Sequence, residues 1–177
     1  WTIGCWNGKS LPIEGSDAPN CLSGVAFLEA FCQGRLKVGS KKVVCVGGGD
    51  TSIDVVSVAR RLGHISNLNP QESPEAVVHG YVAQDVSESA IKEGANVTLT
   101  SLFQKEEMTA AEQEVNDAVH EGVTIINGVL PIKVEKDESG RAVALIIAEC
   151  KFEDNKPIAI EGTEQRLEAD LIVSAIG

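Results

Sequence analysis

Lys41-Lys42-Val43-Val44-Cys45-Val46-Gly47-Gly48-Gly49-Asp50-Thr51-Ser52-Ile53-Asp54 passes from charge to apolar residues to glycine, and then into a mixed pattern. Val43 to Val46 form a short continuous apolar run, the pattern of a strand buried on both faces of a parallel sheet. Beyond the glycines, Ile53, Val56, Ala59 and Leu62 recur at helical spacing until Gly63. Gly47-x-Gly49-x-x-Ser52 therefore stands between a strand and a helix, the context that a dinucleotide fingerprint requires, with Ser52 where Gly or Ala is usual. Gly47 permits a tight strand-to-helix turn. Gly49 has no side chain to keep a pyrophosphate from the backbone. Ser52 is small enough to hold the helix close to the strand. The helix start offers N–H groups and a positive dipole end to phosphate, and Asp50 or Thr51 is the expected cap. The bland alternative is a glycine-rich turn in any parallel α/β protein.

Outward from this segment, strands and helices alternate. Upstream, residues 1–20 are rich in Gly, Pro and polar residues, and turns are expected at Glu14-Gly15 and Asp17-Ala18-Pro19. Residues 23–34 predict a short helix capped by Ser23, with Val25, Phe27, Leu28 and Phe31 apolar and Gly34 at its end. Downstream, 96–103 (NVTLTSLF) predicts a second strand. Thr109 and Glu112 have the spacing of a capping box before a helix reaching His120 and Glu121. Gly122 ends that helix, and Val123 to Ile126 predicts a third strand. From residue 129 the character changes to a hairpin, Ile132–Val134 and Ala142–Cys150 around Asp137-Glu138-Ser139-Gly140, with short strands at 158–160 and 165–167. Leu171 to Ile176 is again a buried type of strand. Residues 64–94 fit none of this. They carry Pro70 and Pro74, and a helix is expected only at 83–93. The order predicts a three-layer α/β domain with a mainly parallel sheet plus a β-meander.

At 177 residues and 43% apolar, the chain has the size and composition for one domain with a real core. Fifteen basic against 26 acidic residues give a net charge of −11, which argues against nucleic acid or an anionic membrane as the main partner. No apolar run approaches the roughly 18 residues of a membrane span. The cysteines, Cys5, Cys21, Cys32, Cys45 and Cys150, are odd in number and contain no C-x-x-C pair, unlike a disulfide framework or a common zinc site. A cytoplasmic setting is the default expectation. Cys45 reads as a small core residue. His64, His79 and His120 are scattered and read as structural or surface residues. There is no initiating Met and the sequence stops within Ser174-Ala175-Ile176-Gly177, so it is read as a segment of a longer protein.

Val46-Gly47-Gly48-Gly49-Asp50-Thr51-Ser52-Ile53-Asp54 resembles the Gly-Gly-Gly-Asn-Thr-Ala-x-Asp turn of the NAD(P)H-binding part of the glutamate synthase small subunit and its relatives, the FAD/NAD(P) subunits of iron–sulfur oxidoreductases. Ala95-Asn96-Val97-Thr98-Leu99 and Lys105-Glu106-Glu107-Met108 resemble that family's second strand and following Arg-x-Glu-Met segment. Ala169 to Gly177 is similar to its Ala-Asp-x-Val-Ile-x-Ala-x-Gly strand, and Ile3-Gly4-Cys5-Trp6 to Gly15 resembles the exit from its FAD domain. The resemblance covers nearly the whole chain except residues 64–94. It implies a Rossmann-like fold of the two-dinucleotide-binding-domain flavoprotein type. Residues 1–40 would then be the join from the FAD domain with a short helix, and 41–177 the NAD(P)-binding domain carrying the insertion 64–94.

The resemblance further implies hydride transfer between NAD(P)H and FAD, with electrons passing to or from iron–sulfur clusters. FAD would be bound mainly by regions beyond this chain, in a FAD domain of the same parent chain, with an iron–sulfur domain or subunit as partner. The segment alone is expected to bind nucleotide and catalyse nothing. The nucleotide-binding set is then Gly47, Gly48, Gly49, Asp50, Thr51 and Ser52 in the turn, Ser101, Phe103 and Lys105 after the second strand, and Ala175, Ile176 and Gly177 at the last strand. No catalytic acid, base or metal ligand is expected. The family's NADPH-using members carry Arg at the end of the second strand, where this chain has Leu102-Phe103, which favours NAD over NADP. Residues 64–94 are expected to form an ordered excursion whose free face meets the FAD domain or a partner subunit. Two other readings stay open: a non-catalytic nucleotide-sensing Rossmann module, and a different Rossmann enzyme. Against the latter stand the β-meander and the lack of a Tyr-x-x-x-Lys pair.

Overall fold

In the computed structural model, which describes residues 8–33, 40–62 and 95–176, the elements run β1 (Cys21–Ser23), α1 (Gly24–Cys32), β2 (Lys42–Val46), α2 (Asp50–Leu62), β3 (Asn96–Thr100), a 3₁₀ turn (Lys105–Glu107), α3 (Glu112–His120), β4 (Thr124–Ile126), β5 (Val129–Lys136), β6 (Ala142–Glu153), β7 (Lys156–Ala159), β8 (Gln165–Glu168) and β9 (Leu171–Ser174). The expected excursion at 64–94, its helix at 83–93, and Trp1, Cys5, Trp6 and Gly177 lie outside the described residues.

Five parallel strands pair in the order β1-β9-β2-β3-β4. The apolar run at 43–46 forms the strand expected of it, and alternation sends its side chains to two cores. Val43 and Cys45, with Val97, Leu99 and Val173, meet Phe27 and Phe31 of α1, Ile53, Val56 and Ala59 of α2, and Val115 and Ala118 of α3. Val44 and Val46, with Ile172, meet Val129, Val134, Leu145 and Ile147 of the antiparallel layer. The result is three layers: helices, parallel sheet, meander. In the meander β6 is the spine. Its first half pairs with β5 and β8, and Cys150 to Glu153 pair with β7.

Some local expectations change. Residues 1–40 were expected to be a join with one short helix, yet Cys21 to Ser23 pair with Ile172 to Ser174 as the outer strand of the sheet, and α1 packs into the helical core. A strand of three residues carries no periodicity by which to find it. The capping box at Thr109 and Glu112 does not form. Thr109 donates its backbone N–H and Oγ1 to the Gly48 carbonyl at 3.1 and 3.4 Å, and α3 begins after Ala111 with no side-chain cap. Ser23 does cap α1, accepting the Ala26 N–H at 3.2 Å. The turn at Asp137–Gly140 forms as expected, and the Asp137 carboxylate accepts from Ser139 and from the Arg141 N–H. The Ser139 hydroxyl, first among these, holds the carboxyl below its usual range.

Three polar devices tie distant parts of the chain together. Asn20, 6% exposed, donates Nδ2 to the carbonyls of Ala142 and Asp170 at 2.9 and 2.8 Å and accepts the Ala142 N–H at 2.8 Å. Asp170 Oδ2 accepts the N–H groups of Lys41 and Lys42, both at 3.0 Å, which pins the start of β2 beside β9. Arg60 reaches from α2 to the carbonyls of Glu121 and Ala95 at 2.7 and 2.8 Å, locking the end of α3 and the start of β3.

Candidate nucleotide-binding site

The ends of β2, β3 and β9 meet at the C-terminal edge of the parallel sheet, where the strand order reverses around β2. Open α/β sheets place their crevice at such a point. The ladder continues to the last residue of β2: the Gly47 N–H donates to Thr100 O at 2.9 Å and the Ala175 N–H to Val46 O at 2.8 Å. A Cβ on Gly47 would lie 2.6 Å from the Ala175 carbonyl oxygen, so only glycine fits between the two strands. The Gly48 carbonyl is held by Thr109 and by the Ala110 N–H at 3.2 Å. The Gly49 carbonyl accepts the Ser52 N–H at 2.9 Å and the Ser52 hydroxyl at 2.5 Å. Gly49 thus opens α2. Asp50 and Thr51 lie inside its first turn rather than capping it, and their N–H groups have no acceptor within the helix.

This turn borders a cavity of about 530 Å³. Its wall is formed by Gly47 to Thr51, Thr100, Leu102, Phe103 and Thr109, by Leu11 to Ile13 and Val129 to Pro131, and by Ala175 and Ile176. Three threonines and the peptide groups of the turn are its polar part. Asp50 is the only charged residue among the described residues that line it. In β2, just before the turn, burial pushes the Cys45 thiol far up, in keeping with a core position. On α2 the Asp54 carboxyl is held above its usual range, first by partial desolvation and then by the Asp50 charge.

The loop after β3 is fixed at successive residues. Ser101 Oγ accepts the Phe103 N–H at 3.1 Å, Ser101 O accepts the Val129 N–H at 3.0 Å, and Phe103 O accepts Asn127 Nδ2 at 2.9 Å. The Cys150 thiol donates to Leu102 O at 3.7 Å. Phe103, 40% exposed, stacks on Phe152, 46% exposed, with ring centroids 5.6 Å apart and planes at 12°.

Of the residues expected at the site, Gly47, Gly48, Gly49, Asp50, Thr51, Phe103, Ala175 and Ile176 line this one cavity. Ser52 is fully buried beneath the turn, and Ser101, 2% exposed, supports the loop rather than the wall. Lys105 gives its ammonium to Asn116 Oδ1 at 2.9 Å and borders a separate depression with Glu106 and Met108. Gly177 lies outside the described residues. Thr109, Thr100 and the apolar segments 11–13 and 129–131 were not anticipated. The Gly-x-Gly spacing marks the turn, but nothing local to those residues marks the elements that fold against it. Among the described residues no group of three His, Cys, Asp or Glu side chains could hold a metal ion, and no helix is long and apolar enough to cross a membrane.

This is the α/β fold of the two-dinucleotide-binding flavoprotein type: a parallel sheet with helices on one face, a β-meander on the other, and a glycine turn at the switch point. Among solved structures the chain is similar to Mycobacterium tuberculosis FprA in complex with NADPH, with a TM-score of 0.71 and 12% identity, over 99% of this chain and 48% of that one. In sequence it is similar to the NADPH-Fe(3+) oxidoreductase subunit beta of Geobacter sulfurreducens, 29% identical over 183 residues, covering 98% of this chain and 23% of the relative. It is also similar to the glutamate synthase [NADPH] small chain of Azospirillum brasilense, 24% identical, covering 98% of this chain and 33% of the relative. The chain therefore spans between about a quarter and a third of the length of these relatives. No family model matches it.

Proposed function

We propose that this chain is the pyridine-nucleotide-binding domain of a flavin-dependent oxidoreductase, with NAD preferred to NADP. The observation that carries the reading is the Gly47–Thr51 turn opening α2 onto the cavity at the ends of β2, β3 and β9. The residues present fit a dinucleotide. The unpartnered N–H groups and dipole of the first turn of α2 suit its pyrophosphate, and the side-chain-free glycines admit it to the backbone. The apolar walls from Leu11, Ile13, Leu130 and Ile176 suit a ring rather than a phosphate. A bound nicotinamide supplies or accepts a hydride. What this chain contributes is position, since hydride transfer to a flavin needs the two rings held face to face and no protein acid or base. FAD, bound mainly by a FAD domain of the same parent chain, and an iron–sulfur domain or subunit as the further electron partner complete the proposal. The relative named as an NADPH-Fe(3+) oxidoreductase subunit supports the oxidoreductase part of it.

The preference for NAD rests on the cavity wall. Leu102 and Phe103 line the wall after β3, where the resemblance implies that a 2′-phosphate would want a guanidinium, and Lys105 is engaged by Asn116. The two relatives carry NADPH in their names, so direct titration is needed. Replacing Gly49 by Val places a branched side chain in the phosphate path. A Cβ there already approaches Thr109 Oγ1 to 3.2 Å. The variant is expected to lose NADH affinity by ~10-fold or more, about the 1.4 kcal/mol of one decade. Unchanged affinity would place the nucleotide elsewhere. Arg at both 102 and 103 should shift preference towards NADPH.

A further inference from the structure

Phe103 and Phe152 raise a question that the glycine turn does not answer. Two phenyl rings stacked nearly parallel leave 40% and 46% of their residues exposed, although burial is the usual fate of Phe. Their position is not accidental to the loop. Phe103 is held through its N–H by Ser101 Oγ and through its carbonyl by Asn127, and its neighbour Leu102 is held by Cys150. Cys150 and Phe152 are two apart on β6, so they project from the same face of the strand, and both reach the loop after β3. The meander therefore supports both the backbone and the ring of this loop. Phe103 lines the cavity, and Phe152 covers a ring face from outside it.

We propose that the Phe103–Phe152 stack is the platform for the adenine of the dinucleotide, with Phe103 touching the base and Phe152 positioning Phe103. This rests on the reading of the cavity as a pyridine-nucleotide site. A planar base lies well on an aromatic face, and such stacking is sequence-tolerant and strong enough to anchor a nucleotide end. The chemistry around the pair fits that end of the ligand. Neither Lys nor Arg lines the cavity among its described residues, so stacking takes the share of affinity that a cation would otherwise supply at the adenosine.

The test separates the two ends of the ligand. Binding of NADH, ADP-ribose and reduced nicotinamide mononucleotide is measured by titration of the 177-residue chain and its variants. Phe103→Ala should weaken NADH and ADP-ribose by a similar factor, about 5- to 150-fold from the range for base–aromatic stacking, and leave the mononucleotide unchanged. Phe152→Ala should do the same to a smaller extent, Phe152→Tyr should restore binding, and Phe152→Leu should not. Neither residue belongs to the buried core, and thermal unfolding midpoints near that of the wild type are expected to confirm that the variants fold. Unchanged affinity for all three ligands overturns the proposal and leaves the pair as a surface for another macromolecule. Equal losses for NADH and the mononucleotide also overturn it, because the stack would then only support the cavity. Wild-type protein that binds none of the three overturns the nucleotide reading itself.

Discussion

Asn20 shows what one buried amide decides. It makes three hydrogen bonds to main-chain groups of β6 and of the residue before β9, and it is 6% exposed. Its Nδ2 faces two carbonyl oxygens and its Oδ1 faces one N–H, so only an amide satisfies the site. Asn20→Asp keeps the acceptor but turns a carboxylate oxygen towards the carbonyls of Ala142 and Asp170. The expected cost at neutral pH is about 3 kcal/mol, from lost bonds and unpaired buried acceptors, read from urea unfolding. Part of that should return in acid, where the protonated side chain donates one bond. A loss under about 0.5 kcal/mol, the ordinary range for a surface change, would mean that the amide is not holding the ends together. In the sequence Asn20 is one polar residue at the end of a stretch rich in Gly, Pro and polar residues. Its partners are more than a hundred positions away, and no local pattern carries that information.

Helix α2 is the element that the sequence announces most clearly, and its two ends have separate tasks. Ile53, Val56 and Ala59 face the sheet as their spacing requires. Its C-terminal half carries Arg60, which satisfies carbonyls at the ends of two neighbouring elements. Its N-terminal turn carries Asp50 and, one turn on, Asp54. An acid at the first turn favours the helix dipole but opposes a bound anion. Asp54 is partly desolvated and, second to that, has the like charge of Asp50 one turn away, so its carboxyl sits above the usual range. A raised carboxylate pKa means that the ionised form is disfavoured in the folded state. The group therefore costs stability at neutral pH, and that cost disappears as pH falls through the folded value towards the ordinary one. Asp54→Asn is expected to raise the melting temperature at pH 7 slightly, by about 1 °C. The gap to wild type should close below about pH 4. A gap independent of pH would assign the effect to packing. Glu168, Asp17 and Asp137, whose carboxyls are held low by Lys42, Lys136 and Ser139 respectively, act in the opposite sense in both proteins. They therefore drop out of the difference. Helical spacing made α2 legible, a continuous apolar run β2, and a turn between two β-rich runs the β5–β6 hairpin. The three residues of β1 and the start of α3 were not, because pairing to β9 and the Gly48 carbonyl decide them.

At the scale of the whole molecule the last strand is also a central one. β9 enters between β1 and β2, so the sheet is complete only with β9 in place, and Ala175 and Ile176 are carried into the cavity wall as a consequence. The same arrangement brings the segment Leu11–Ile13 and the meander at Val129–Pro131 to the glycine turn, which is why half of the candidate site was invisible to motif reading. Charge is the other global property. The chain carries −11, and the single charged residue lining the described cavity is Asp50. On the proposed reading, a dianionic dinucleotide would bind against the field of the protein, helped by the α2 dipole. NADPH brings a further phosphomonoester of about −1.5 to −2, and meets neither Arg nor Lys at Leu102 and Phe103. Repulsion between like charges is felt over ~30 Å at 0.01 M salt and over only ~3 Å at 1 M. The ratio of the NADPH to the NADH dissociation constant should therefore exceed one throughout and fall as salt is raised, by a few-fold over that range. Leu102→Arg should lower the ratio most at low salt, where an added guanidinium is least screened. A ratio below one, or one that rises with salt, would reveal a fixed cation at the 2′-phosphate. Lys105 released from Asn116 is the first candidate, and Lys105→Met would then abolish the NADPH preference.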